Sequence, residues 1–188
     1  MMKKSVDGKK NSYLLGSSSF FNDTGSEMIT PLLPFYITLF GGSGELVGLA
    51  AGLRAGLEGV FKFVGGWLSD WFGKRKLFIF IGYFLSIFFK FILGSATSLN
   101  GVLFATSFER IGKMRDAPRD AVIALSVKKR GWGFGFNRAM DTVGALVGTL
   151  LVLLLFWKLN IGIKNMIIIA SVISAFALIP LIFVKDPK

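Results

Sequence analysis

Long apolar blocks separated by short, cation-rich segments decide what this chain can fold into. Residues 77–93 carry a single charge, Lys90, and residues 146–157 carry none. Neither block shows the one-sided spacing of a helix that is apolar on a single face. A chain that is 53% hydrophobic, with 20 phenylalanines among 188 residues, has more apolar surface than one soluble core can hide, whereas a bilayer accommodates it. A span needs about 20 largely apolar residues, and six stretches qualify: 12–39, 45–69, 77–97, 101–126, 132–157 and 163–184. The third, fifth and sixth stand on hydropathy alone. The first, second and fourth contain ionisable residues, and the fourth crowds Glu109, Arg110, Lys113, Arg115, Asp116, Arg119 and Asp120 into its second half.

Loop charge recovers the weaker three. With the amino terminus inside, Lys3, Lys4, Lys9, Lys10, Lys74, Arg75, Lys76, Lys128, Lys129, Arg130, Lys185 and Lys188 fall on the cytoplasmic side, and only Lys158 and Lys164 outside. Removing the fourth span would move Lys128–Arg130 outside and spoil the asymmetry. The expectation is an all-α membrane protein with six transmembrane helices and both termini cytoplasmic, in the inner cell membrane. Residues 1–11 form a charged cytoplasmic lead-in, 12–184 one six-span domain, and 185–188 the start of a cytoplasmic linker or tail. No small-residue cleavage site follows the first apolar block, so it reads as a retained span.

The same placement disposes of other functions. A net charge of +11 invites a nucleic-acid reading, but the cations cluster between apolar blocks and not on one soluble face. With no cysteine and no histidine, disulfides, thiolate chemistry and the commonest general base are excluded. No nucleotide-binding loop or catalytic constellation is visible, so neither an enzyme nor an ATP-driven pump is expected, and no cofactor or metal is implied.

Charges inside a span are costly and face a cavity or a partner. Asp23 and Glu27, four residues apart, share one helix face near mid-span. Two carboxylates this close in low dielectric resist ionising together. They are candidates for proton coupling or cation recognition, or each pairs with a base on another span. Arg54, Glu58 and Lys62 recur every four residues, and either cation can neutralise Glu58. The stripe reads as an internal salt-bridge ladder or as substrate contact, facing the interior or a wet cavity. Lys90 is too deep to snorkel comfortably and is expected to meet a carboxylate such as Glu27 or Glu58. Arg115, Asp116, Arg119 and Asp120 read as a structural lattice nearer the cytoplasm, and Arg138 pairs with Asp141. Gly144 and Gly148 form a small-xxx-small pair for close helix contact, and Gly48, Gly52, Gly56 and Gly59 would serve similarly in the second span.

Between the second and third spans lies Gly66-Trp67-Leu68-Ser69-Asp70-Trp71-Phe72-Gly73-Lys74-Arg75-Lys76. Gly73 permits a tight turn, Asp70 can cap a helix end or pair with a base, and the cations hold the loop inside. This pattern resembles the loop signature of the major facilitator superfamily, departing from it at Trp71, where a base is common. Three further stretches resemble one bacterial and archaeal branch of that family. They are Phe20-Phe21-Asn22-Asp23 through Glu27-Met28-Ile29-Thr30-Pro31-Leu32-Leu33-Pro34, Arg110-Ile111-Gly112-Lys113 with Ala117-Pro118-Arg119-Asp120-Ala121, and Arg130-Gly131 through Ala145. After Lys113 the chain is one residue shorter than that branch usually is. Thr149 stands where the antiporter-type motif often has proline.

The resemblance implies the amino-terminal six-span half of a secondary transporter, built as a 3+3 inverted repeat. A faint internal echo fits it: Leu53-Arg54-Ala55 with Glu58, against Asn137-Arg138-Ala139 with Asp141. It implies proton-coupled efflux or exchange of small solutes, with Arg110 tied to proton coupling and Asp23, Glu27, Arg54, Glu58, Lys90 and Arg110 lining a central cavity. The partners implied are the lipid bilayer, a small-molecule substrate and a second six-span half. That half could be a separate chain, the missing remainder of this one, or a second copy. The alternative is a truncated or non-transporting half-protein with a binding or regulatory role.

Overall fold

A computed structural model of the chain describes residues 3–186, with side chains from residue 9 onward. Met1, Met2, Pro187 and Lys188 lie outside the described residues, as do the side chains of Lys3 and Lys4, so three of the cations assigned to the cytoplasmic side are not placed. All regular structure among the described residues is helical. It falls into six stretches separated by short loops. The first is α1 (Lys3–Ile29), which turns at residues 30–32 into α2 (Leu33–Leu39). The second and third are α3 (Gly44–Phe72) and α4 (Arg75–Ser95). The fourth comprises α5 (Leu99–Phe108), a 3-10 segment (Glu109–Arg115) and α6 (Asp116–Ser126). The fifth is α7 (Arg130–Trp157), and the sixth α8 (Ile163–Ala175) running on into α9 (Leu178–Ile182). Three of them, Arg75–Ser95, Arg130–Trp157 and Ile163–Ile182, are long and apolar enough to cross a membrane. They are the three that hydropathy alone singles out.

Local chemistry sets the breaks. Pro31, which has no N–H to donate, sits in the turn after α1, and Pro34 occupies the first turn of α2, where an N–H has no helical partner anyway. Ser43 caps α3 by accepting from Leu46 N, and Ser98 caps α5 by accepting from Gly101 N at 3.2 Å. Gly73 ends α3 in the left-handed region at φ 64°, where a side chain would be strained. The tight turn expected there is present. Helix α1 begins within the residues read as a lead-in, so the charged start continues the first rod.

The fourth rod is overwound over Glu109–Arg115, where its helix is of the 3-10 kind. Seven residues wound at three per turn rotate through about 840°, against about 700° for seven residues of α-helix. Overwinding therefore turns α6 by about 140° relative to an unbroken α-helix of the same length.

Helix α1 is central and polar inside. Ser12, Ser18, Ser19, Asn22, Thr24 and Ser26 are buried along it, and it packs on α7, α8, α6 and α9. The α5–α6 rod packs on α3 and α4, and α4 meets α8. Apolar residues fill two cores. One holds Met28, Tyr36, Leu93, Val102 and Met166, the other Leu15, Ile79, Tyr83, Ile123 and Leu181. The outer faces of α4 and α7 leave Phe84, Phe88, Leu146, Leu150, Leu153 and Trp157 exposed, an apolar surface suited to lipid.

The glycine expectations divide. A Cβ at Gly144 would lie 2.7 Å from Phe20 O, and one at Gly148 would strike Thr24 O, so α7 and α1 touch through bare backbone as the small-xxx-small pair implies. The α3 glycines do not behave that way. Gly48, Gly52, Gly56 and Gly59 each have nothing within 4 Å of where a Cβ would sit. That face of α3 meets no other part of the described chain.

Candidate functional site

A cavity of about 310 Å³ opens between α1, α3, the fourth rod and α7, and charge dominates its wall. Helix α1 contributes Asp23, Ser26 and Glu27, and α3 contributes Glu58 and Lys62. The fourth rod adds Arg110, Lys113, Arg115, Asp116 and Arg119, and α7 adds Arg138, Asp141 and Thr142. The i, i+4 spacing of Asp23 with Glu27 and of Glu58 with Lys62 places each pair on one face, and that face turns to the cavity.

Most of these charges are paired across helices. Glu58 lies between Lys62 at 2.7 Å and Arg110 at 3.1 Å. Asp116 takes Lys62 at 3.4 Å and Arg115 at 3.9 Å. Asp23 lies 3.9 Å from Arg115, and Asn22 donates to it at 3.2 Å. Asp141 receives Arg119 at 3.3 Å and Arg138 at 3.7 Å. Behind the wall, Arg119 donates to Ser19 Oγ at 2.6 Å, Ser19 and Tyr83 share a 2.9 Å hydrogen bond, and Arg115 stacks over the Tyr83 ring at 4.3 Å. The network joins α1, α4, α6 and α7, so the charges cannot rearrange without those helices moving.

Four of the six expected cavity residues, Asp23, Glu27, Glu58 and Arg110, line this space. Arg54 points instead into an adjoining, more apolar pocket of about 320 Å³, where it donates to Thr106 Oγ1 at 3.0 Å. Glu58 is thus neutralised by Lys62 and Arg110 and not by Arg54. The two spaces share Glu27, Glu58 and Arg110.

Lys90 differs from expectation. It is fully buried and donates to Asn22 O at 3.2 Å, Asn22 Oδ1 at 3.0 Å and Ser174 Oγ at 2.8 Å. Among the described residues, neither Glu27 nor Glu58 nor any other carboxylate pairs with it. Three neutral oxygens match the three donors of an ammonium, so the helix contacts supply what a carboxylate was expected to supply. Glu109, also buried, is held by Ser86 at 2.9 Å and Arg110 at 3.1 Å.

The residues read as a structural lattice nearer the cytoplasm, Arg115, Asp116, Arg119 and Asp120, fall in two places, and Arg138 and Asp141 form the pair expected of them. Arg115, Asp116, Arg119, Arg138 and Asp141 line the cavity itself, while Asp120 stands off it, 3.6 Å from Arg119. In the loop after α3, Asp70 pairs with Arg75 at 2.8 Å. Lys74 leads into α4, and Gly66 packs 3.1 Å from the Ala117 methyl if given a Cβ. Trp71 is exposed and packs against Trp67 with ring centroids 5.5 Å apart and planes tilted by 30°. Lys76 N–H donates to Asp186 Oδ1 at 2.9 Å, tying the segment after α9 to the start of α4. Sequence reasoning missed Lys113, Ser26 and Thr142 as cavity residues. Lys113 had a signal, since it closes the quoted Arg110–Lys113 motif. The two hydroxyls had none.

Comparison with known proteins bears on this arrangement. The chain matches the family model of the Major Facilitator Superfamily over residues 15–188. It is 46% identical over 179 residues to an uncharacterised MFS-type transporter of Methanocaldococcus jannaschii, covering 94% of this chain and 45% of that protein. It is 33% identical over 132 residues to uncharacterised proteins of Mycobacterium bovis and Mycobacterium tuberculosis, covering 68% of this chain and 31% of each. The chain thus spans less than half the length of these relatives. With the family model covering nearly all of it, the chain belongs to the Major Facilitator Superfamily.

Proposed function

We propose that this chain is one six-span half of a secondary transporter, which moves small solutes by alternating access and draws on proton movement for export or exchange. The observation that carries the reading is the charged cavity enclosed by helices whose outer faces are apolar. Ionisable side chains are retained inside a bundle of this kind where a solute or proton must pass. Asp23 and Glu27 are the proposed proton-carrying pair, and Glu58 and Arg110 the ion pair that must part when the cavity changes access. Lys90 holds α1, α4 and α8 together behind it.

The helix packing supports a 3+3 inverted repeat. The first rod packs on the fifth and sixth, the fourth packs on the second and third, and the third meets the sixth. Exchanging the first three rods for the last three leaves that pattern unchanged. Close approaches follow the same exchange: Gly144 and Gly148 bring the fifth rod onto the first, and Gly65 brings the second onto Met114 of the fourth.

A second six-span half completes the reading. The uncovered glycine face of α3, with Gly48, Gly52, Gly56 and Gly59, offers the close backbone contact such a half would make. Both termini face the cytoplasm in this arrangement, and the cations at residues 74–76 and 128–130 hold the loops there.

The test is to reconstitute the protein in liposomes loaded with a pH-sensitive dye, screen solutes of every charge class, and measure particle mass in detergent. The account expects solute-dependent, pH-linked flux from a particle holding two halves. A strictly monomeric, flux-silent protein would leave the alternative, a non-transporting half that binds a partner.

A further inference from the structure

The ion pairs of the cavity leave two charges over. Five carboxylates and six cations line it. Asp23, Glu58, Asp116 and Asp141 are each within 4 Å of a base, and so are Lys62, Arg110, Arg115, Arg119 and Arg138 of an acid. Glu27 on α1 and Lys113 on the 3-10 segment attract each other across this space, but neither has an ion pair within 4 Å or a side-chain hydrogen bond among the described residues. A charge inside a span without a partner is costly, and a ligand of opposite charge relieves the cost. Arg54 also has no acid within 4 Å among the described residues, but it lines the adjoining pocket and not this cavity, and it donates to Thr106 Oγ1.

The two spare charges differ in setting. Lys113 lines the polar cavity and not the adjoining pocket, whereas Glu27 lines both, the second being walled by Leu33, Ile37, Val47 and Ala51 with Arg54, Glu58 and Arg110 at its charged side. A solute satisfying both must carry an anionic group for Lys113, a cationic group for Glu27, and an apolar body beside the cationic end. We infer that the cavity recognises a zwitterionic solute with an apolar side group, of the size and chemistry of an aliphatic α-amino acid. Glu27 takes its ammonium, Lys113 its carboxylate, and the pocket between α2 and α3 its aliphatic part. This rests on the transporter reading and names the substrate class of the same cavity.

The experiment measures binding to the purified full chain in detergent with three matched probes: L-leucine, isoamylamine with only the cation, and 4-methylpentanoate with only the anion. Leucine is expected to bind at least tenfold more tightly than either. Glu27→Gln should cost at least tenfold for leucine and for the amine, and leave the carboxylate probe unchanged. Lys113→Met should give the mirror pattern. If a variant does not fold, the three probes on the unsubstituted chain decide alone. Equal binding of amine and leucine, silence of both substitutions, or no binding of any probe overturns the inference. The liposome screen separates this from the broader reading. Flux with anions or neutral solutes but not with zwitterions overturns the substrate class and leaves transport standing, whereas no flux with any solute removes both.

Discussion

Glycine to alanine at two positions, one on α7 and one on α3, should act in opposite directions. At Gly144 the new methyl would sit 2.7 Å from Phe20 O and 3.2 Å from Phe20 Cα. A carbon beside a carbonyl oxygen needs about 3.3–3.6 Å, so α7 must back away from α1 by about 0.6–0.9 Å. The obstacle is backbone and cannot rotate aside. Overpacking of this kind costs about 1–3 kcal/mol, against about 1 kcal/mol gained from the helix preference of alanine. The net loss, up to about 2 kcal/mol, corresponds to a fall of up to about 8 °C in melting temperature for a chain of this size. At Gly52 nothing of the described chain lies within 4 Å, so in the chain without a second half only the gain remains and melting should rise by about 2–4 °C. Thermal unfolding of the purified chain in detergent, followed by tryptophan fluorescence, measures both. Equal shifts for the two variants, or a Gly144→Ala protein as stable as the Gly52→Ala protein, would refute the close α1–α7 contact.

Lys90→Met tests how the buried lysine is held. Breaking a buried ion pair costs about 3–5 kcal/mol, but here only neutral oxygens lose a donor and a buried charge is removed. Stability should therefore stay within about 2 kcal/mol of the parent by the same melting assay, and a larger loss would mean a carboxylate partner. Asp23→Asn and Glu27→Gln should each abolish pH-linked solute flux in liposomes. Unchanged coupling in both would shift the proton-carrying role to Glu58. Gly73→Ala forces a side chain into the left-handed turn and should cost about 1–2 kcal/mol. Gly73→Asn should cost less, since asparagine tolerates that region, and equal losses would contradict the turn geometry.

The helical plan was legible because lipid imposes it: apolar runs of the right length and cations confined to alternate loops leave few arrangements. The cavity was partly legible for the same reason, since Asp23, Glu27, Glu58 and Arg110 are expensive in a bilayer and stand out. What could not be read was which charge meets which. Lys90 looked short of a carboxylate because Asn22 and Ser174, small polar residues with no pattern of their own, supply its oxygens across three helices. Arg115, Asp116 and Arg119 looked separate from the cavity because their facing depends on the winding of the 3-10 segment, which no periodicity announces. The α3 glycines read like those of α7, yet only the latter have a neighbouring backbone. A spacing of four marks a face without saying what covers it.

The central claim is that the charged cavity is a transport path that opens to one side of the membrane at a time. The chain has no cysteine, so Thr142→Cys places a single thiol on the cavity wall. Its labelling by a membrane-impermeant maleimide, measured from each side of reconstituted vesicles, is the most direct test. The account predicts labelling from one side at rest, and a shift of access toward the other side when solute or a pH gradient is applied. Labelling that stays the same from either side, with and without solute and gradient, would contradict it.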